Sequence, residues 1–168
     1  MSKSRSYAIF WIMFLAMQAN DAISAAIKSG KCDPYYVSIR AKEAHSHVGP
    51  GRIYKVVYKY IQEHLPVKVV AQYDNWRKIE DPDGEKGWIH KSLLSTKRFI
   101  ITCSNITPLM LTTKETSKRI ARIKKKFVME LIAVRGNWCR VKFRWCGEKY
   151  TGWVRKTDVF GVLDEETW

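Results

Sequence analysis

The sequence predicts an all-β protein: two small β-barrels in tandem behind an N-terminal export signal. Three observations carry this expectation. They are an ordered internal repeat, short alternating strands punctuated by turn residues, and a charged, apolar, then small succession at the N-terminus. The chain has 168 residues, room for one ordinary domain or two small ones. Hydrophobic residues make up 46% of it, so its composition supports a packed core rather than disorder. Seven Trp and eight Tyr give small domains large buried area per residue and supply material for aromatic grooves.

The N-terminus comes first. Lys3 and Arg5 precede an uncharged apolar run, Tyr7 to Met17, and Ala22, Ser24, Ala25 and Ala26 follow. That order is the pattern of a secretory signal, with cleavage expected after Ala25 or Ala26. The run is shorter than the roughly 20 residues a membrane-spanning helix needs. An uncleaved anchor and a buried helix are the other readings. The expected divisions are residues 1–25 as signal, 33–96 as a first barrel and 97–168 as a second, more divergent one. The protein is then exported, to the periplasm or cell envelope.

The repeat comes next. Val67-Lys68-Val69-Val70-Ala71 returns as Met129-Glu130-Leu131-Ile132-Ala133, and Asn75-Trp76-Arg77-Lys78-Ile79 as Asn137-Trp138-Cys139-Arg140-Val141, both 62 residues on. Gly87-Trp88-Ile89 returns as Gly152-Trp153-Val154 after 65, so the second hairpin tip is expected to be three residues longer. Two copies of one unit are implied. Within each, Val67, Val69 and Ala71 alternate with Lys68, Val70 and Gln72, and a second strand follows from Trp76 to Glu80. Asp81-Pro82-Asp83-Gly84 is turn chemistry, Gly87-Trp88-Ile89 starts the returning strand, and short turns close the units at Lys91 to Leu94 and Lys156 to Val159. Ile61 to Leu65 could form one helical turn before Pro66 ends it. Five or six short strands in about 60 residues favour a small closed barrel. The link from Thr96 to Thr107 is short and contains Phe99-Ile100-Ile101, so a rigid pair is expected rather than beads on a tether.

These motifs resemble a known family. Ala44-His45-Ser46-His47-Val48-Gly49-Pro50-Gly51, Leu65-Pro66-Val67-Lys68-Val69, Asn75-Trp76, the Asp81–Gly84 turn and Gly87-Trp88-Ile89-His90 are similar in order and spacing to bacterial SH3-like (SH3b-type) domains of exported proteins. Residues from about 106 to 163 look like a second copy, without a counterpart of Gly49-Pro50-Gly51. His45 and His47 stand where the family typically shows Asn and Arg. The resemblance implies two SH3-like barrels and a cell-wall or peptide-binding role of the kind such modules have beside wall hydrolases.

The binding candidates are Trp76 and Trp88 in the first copy and Trp138 and Trp153 in the second, whose faces can stack on sugar rings or prolines. Trp88 and Trp153 read first as core or rim, while Trp76 and Trp138 stand evenly between packing and groove. Tyr54, Tyr58 and Tyr60 are expected to share one strand face as a groove wall. Lys118, Arg119, Arg122, Lys124, Lys125 and Lys126, with Lys114, form a dense basic patch, against a formal net charge of +14 for the chain. Removing residues 1–25 changes that balance by a single unit. The charge favours anionic partners: wall polymers, acidic membrane surfaces or an envelope protein, with nucleic acid the least accessible after export. A solvated basic face is the plain alternative.

The remaining chemistry points away from catalysis. There is no G-x-S-x-G elbow, phosphate loop or H-E-x-x-H. His45 and His47 are two potential ligands where zinc needs at least three, and His64 and His90 add no metal spacing, so no metal and no cofactor is expected. Four cysteines lie past the signal. Along one strand Cys139 and Cys146 would be roughly 23 Å apart, too far to bridge. Cys32 with Cys103 is the favoured pair, and four free thiols the alternative. The reading is an exported, non-catalytic protein that binds cell-envelope material, peptidoglycan or its peptides. A periplasmic protein scaffold or a basic membrane-surface binder is the alternative.

Overall fold

The computed structural model describes residues 30–168; the expected signal, residues 1–25, lies outside the described residues. Two seven-stranded antiparallel sheets make up the described chain. The first contains β1 (Gly30–Ile39), β2 (Ala44–His47), β3 (Val56–Tyr60), β4 (Pro66–Tyr73), β5 (Trp76–Glu80), β6 (Lys86–His90) and β7 (Leu94–Ser95). The second contains β8 (Phe99–Thr102), β9 (Ile106–Met110), β10 (Arg119–Lys124), β11 (Val128–Arg135), β12 (Trp138–Trp145), β13 (Glu148–Arg155) and β14 (Val159–Phe160). Their strand orders, β3-β2-β6-β5-β4-β1-β7 and β10-β9-β13-β12-β11-β8-β14, are the same order shifted by seven strands. The all-β, two-copy architecture expected from the repeat is what the chain adopts.

The duplication extends to irregularities. A bulge between Val69 and Ala71 opposite β5 recurs between Leu131 and Ala133 opposite β12. The bulge where β2 meets β3 recurs where β9 meets β10, between Arg119 and Ala121. A one-turn 3₁₀ helix closes each copy, Lys91–Leu93 and Lys156–Asp158, where the sequence predicts short turns. His64 and Lys126 both adopt left-handed backbone, φ 65° and 63°. Each donates its N–H back to the first strand, to Ile39 O at 2.7 Å and Thr102 O at 2.8 Å. The segment Ile61 to Leu65 is therefore not a helical turn: it bends at Glu63 and His64, with His64 left-handed. One ladder pair is reversed in sign: Lys68 faces Glu80, whereas Glu130 faces Lys142, the latter as an ion pair of 2.9 Å.

The expected longer second tip takes a different form. In the first copy the five-residue loop Asp81–Glu85 turns the chain, and Asp81 Oδ1 accepts the N–H groups of Asp83 (3.0 Å) and Glu85 (2.9 Å). In the second, the extra residues lengthen both strands, and Cys146 and Gly147 alone turn the chain at φ 49° and 85°. Positive φ at both central residues matches the right-handed twist of the strands, so a two-residue turn suffices.

Residues 32–168 form one compact unit. Core one gathers Ile39, Val67, Val69, Ile79 and Ile89; core two gathers Leu109, Met129, Leu131, Val141 and Val154. β8 lies between them and is buried on both faces. Side-chain alternation sends Ile100 into core two and Ile101 into core one. Across the same seam Phe99 stacks on His64 at 4.3 Å between centroids, and Tyr36 meets Phe160 edge-on at 5.1 Å.

The C-terminal segment is tied to this link. Trp168 and Val134 exchange backbone hydrogen bonds of 2.8 and 3.1 Å. The Arg98 guanidinium grips Glu166 through both nitrogens, Nη2 to Oε2 at 3.0 Å. Burial alone would raise the Glu166 carboxyl, but the bonds from Arg98, the Trp168 indole and the Leu163 N–H outweigh it and hold it at about 2, against an ordinary 4.5. A depressed carboxylate stabilises the fold fully above its unfolded value and ceases to do so as pH falls through its folded one. Glu166→Gln is expected to lose about 1–2 kcal/mol at neutral pH, between the values of exposed and fully buried pairs. The gap to the unaltered chain should narrow as pH falls from about 4.5 toward about 2. Thermal melts of both proteins across that range are the check; a gap independent of pH would remove the ion pair from the account.

Candidate functional site

The tryptophans do not converge on one groove. Trp88 is 5% exposed and belongs to the interior. Trp153 is half-buried, with the Arg135 guanidinium 5.7 Å over its ring. Trp138 is half-buried beneath Arg155 at 5.0 Å, and Arg155 in turn holds Glu115 at 2.6 and 2.7 Å. Trp76 is flanked edge-on by His47 at 5.3 Å and His90 at 5.5 Å. The indole faces of the second copy are thus covered by the protein's own arginines.

The expected tyrosine wall is also divided. Tyr58 and Tyr60 share a face of β3, their centroids 6.5 Å apart. Tyr54 precedes β3 and does not join them, because the bulge at Ser46/His47 breaks the alternation. Its ring lies so close over Gly49 and Gly51 that a Cβ on Gly49 would stand 2.6 Å from it. Gly49-Pro50-Gly51 is thereby explained as the bed for Tyr54, whose carbonyl takes His47 Nδ1 at 2.7 Å. Tyr58 bonds to the Glu85 carboxylate and Tyr60 to Asp81. Burial first, then the nearby Asp81 charge, raises the Tyr60 hydroxyl well above its ordinary range.

The favoured disulfide is not formed: Cys32, Cys103, Cys139 and Cys146 are all free. Cys32 is half-buried against core one, while Cys103 is exposed just past β8, its Sγ directed to the Ile101 carbonyl. Cys139 packs in core two as a small apolar residue, and burial pushes its thiol up to about 12.

The basic residues do assemble. Arg119, Arg122 and Lys124 lie on β10, Lys118 precedes it, and Lys125 and Lys126 turn the chain toward β11; all are exposed. Lys126 reaches Asp83 of the first copy at 3.0 Å. Beside them is an aromatic cluster that sequence reasoning did not select. Phe127 meets Phe143 at 5.1 Å and Trp145 at 5.8 Å, and Phe143 stacks on its cross-strand partner Tyr150 at 5.3 Å with planes 10° apart. Trp145, at the hairpin tip, is 58% exposed.

Two open grooves meet at these rings. One, of about 490 Å³, runs between β10 and the hairpin, with Ile120, Lys124 and Trp145 on its walls. The other, of about 740 Å³, adds Arg144 and Lys149, with Glu63 and with Glu130, which pairs Lys97 at 3.1 Å and Lys142 at 2.9 Å. Phe127, Phe143 and Tyr150 line both. The arrangement is an aromatic floor with cations along its β10 side and lysines already paired to Glu130 on the other: it can stack an apolar or ring-shaped group while neutralising negative charge beside β10. The first copy lacks it, since Asp81 and Glu85 occupy the corresponding hairpin.

The sequence profile of the bacterial SH3 domain matches residues 41–96 and again 109–161. No curated protein matches the chain. Among solved structures it is similar to an NlpC/P60 family protein from Bacillus cereus ATCC 10987, at 14% identity and TM-score 0.34, over 74% of this chain and 55% of that one. It is also similar to NlpC2 and NlpC1 from Trichomonas vaginalis, at 9% and 10% identity and TM-scores 0.35 and 0.33. Those matches cover 81% and 79% of this chain and 51% and 47% of theirs, so the chain spans about half the length of each structure. On the strength of the two profile matches, the chain belongs to the bacterial SH3 domain family, of which it carries two copies in tandem.

Proposed function

We propose that the protein is an exported, non-catalytic binder of cell-envelope material, peptidoglycan or its peptides, and that the second copy provides the binding face. The observation that carries this reading is the joined floor of Phe127, Phe143 and Tyr150, open to solvent and bordered by cations along β10. Membership of a family of binding domains and the signal-like N-terminus support it. Trp88 is packed in the interior, Trp138 and Trp153 each lie beneath an arginine, and Trp76 stands half-buried between His47 and His90, so the aromatic floor is the better supported contact surface.

The test is co-sedimentation of the protein with purified sacculi across a salt series. Trp145→Ala removes an exposed ring and is expected to leave the melting point unchanged. Binding should weaken about tenfold, equivalent to roughly 1.4 kcal/mol. Retention should persist at salt high enough to screen exposed charges, about 1 M, where the Debye length is only about 3 Å. No retention at any salt, or none above modest salt, would overturn wall recognition and turn attention to an envelope protein or an acidic membrane surface.

A further inference from the structure

The edge of β10 carries a more specific assignment, which rests on the reading of this face as the binding surface. β10 is the outermost strand of its sheet, and β9 is its neighbour there. In an antiparallel pair the backbone groups of alternate residues turn toward the partner strand and those between turn away. Pro108 stands opposite Arg122 and has no N–H to offer. Lys125 donates to Asn105 O at 3.2 Å, one step beyond the Lys124–Ile106 pair. Both facts turn the backbone of Arg122 and Lys124 away from β9: the N–H and C=O of Arg122 and the N–H of Lys124 face the open side, while the Lys124 C=O already accepts the Thr102 hydroxyl at 2.7 Å. Their side chains are exposed, whereas Ala121 is half-buried and Ile123 buried.

Inward of this edge lies the groove of about 490 Å³, bounded on its far side by Phe143, Trp145 and Tyr150. β13 meets β9 in register at Trp153–Met110 alone, so the outer half of the hairpin extends past that pairing. Among the described residues none of Lys118, Arg119, Arg122, Lys124 and Lys125 takes part in an ion pair. The corresponding edge of the first copy, β3, is neutralised within the chain: Lys59 pairs with Glu43 at 3.0 Å, and Tyr58 bonds to Glu85.

We propose that β10 accepts an extended acidic polypeptide as an added strand, with carboxylates alternating with apolar side chains. Residues directly opposite one another across a strand pair share a face. Those opposite Arg122 and Lys124 meet cations, and those between point into the groove. Free backbone amides are matched by another backbone; a lipid surface or a phosphate polymer would engage the lysines and leave both amides and groove unused. A second copy of this edge would set cation against cation, so its charge selects an acidic partner.

The test titrates the full-length chain with a capped L-octapeptide of alternating glutamate and valine, at about 150 mM salt, where charges beyond roughly 8 Å are screened. Two comparators keep its charge and side chains but carry N-methyl groups, one on every glutamate, the other on every valine. One comparator is expected to bind at least about tenfold more weakly than the other, because only one edge of the added strand faces β10. Amide exchange at Arg122 and Lys124 should slow by about tenfold or more in the unmodified complex, a readout that requires no variant. Arg122→Glu with Lys124→Glu, both exposed, should abolish binding, and Arg122→Gln with Lys124→Gln should weaken it. Equal binding of the two comparators, unchanged exchange at both amides, or capture of anionic vesicles in preference to the peptide would each overturn the added strand. Sacculus retention without peptide binding would overturn it while leaving wall recognition standing; peptide binding without sacculus retention would do the reverse.

Discussion

Replacing Gly152 with alanine is expected to destabilise the protein by about 2–3 kcal/mol, the upper part of the range for overpacking a filled interior. That corresponds to a fall of about 5–10 °C in the melting point for a chain of this length. A Cβ at Gly152 would lie 2.7 Å from the Met110 carbonyl oxygen and 2.8 Å from Leu109 Cγ. One neighbour is backbone in the adjoining strand, and the other is a fully buried side chain. Neither can swing aside, so β9 and β13 would have to part where Met110 pairs with Trp153. Gly87 holds the same place in the first copy, where a Cβ would meet the Ser46 side chain at 2.7 and 2.8 Å. Rotation of the Ser46 hydroxyl relieves only the first of these contacts, since its Cβ is fixed by the backbone, so Gly87→Ala should cost a comparable amount. A melting point equal to that of the unaltered chain in either variant would show that the strands separate freely and would sink the close-approach explanation of the Gly-Trp repeat.

Ile101→Ala should be nearly as damaging, at about 3 kcal/mol for a large-to-small change in a filled core. Its particular signature is location. Ile101 is 3% exposed and sits on a strand of the second sheet, yet it fills the first core. Hydrogen exchange should therefore accelerate in β4, β5 and β6, which belong to the other copy. Ile100→Ala, one residue earlier, should loosen β11 and β12 instead, because Ile100 points into core two. The melting curve should remain a single transition for both variants, since the cores share β8. Exchange confined to the second copy in the Ile101 variant would refute a shared strand.

The fold was legible because its determinants are local and repeated. Alternation in Val67 to Ala71, the Asp81–Gly84 turn and the two Gly-Trp pairs define strands and their order without reference to distant residues. The contents of the candidate site were less so. Alternation assigns Tyr54, Tyr58 and Tyr60 to one face only if no residue is extra, and the bulge beside Ser46 is invisible in composition. The three additional residues of the second hairpin were read as loop, which hid the strand positions of Phe143, Trp145 and Tyr150. A signal was present in Phe143-Arg144-Trp145, aromatic and basic in strict alternation directly before Cys146-Gly147, a pair that can turn a hairpin. Tryptophan drew attention as the largest aromatic, but size alone does not distinguish a ring open to ligand from one roofed by arginine, as Trp138 is. The basic stretch was found intact because exposure of consecutive cations requires no tertiary information.

The reversed ladder pair bears on how a duplicated chain avoids confusing its own halves. Two units with matching bulges and one strand order offer each strand two chemically similar mates during folding. Were β4 to pair with β12, Lys68 would stand opposite Lys142; were β11 to pair with β5, Glu130 would stand opposite Glu80. Like charges directly opposite are destabilising, while each native combination joins opposite signs. Exchanging Lys68 and Glu80 for one another preserves attraction within the first copy and erases this discrimination, so the exchanged chain should refold with a larger misassembled fraction although its finished structure is no less stable.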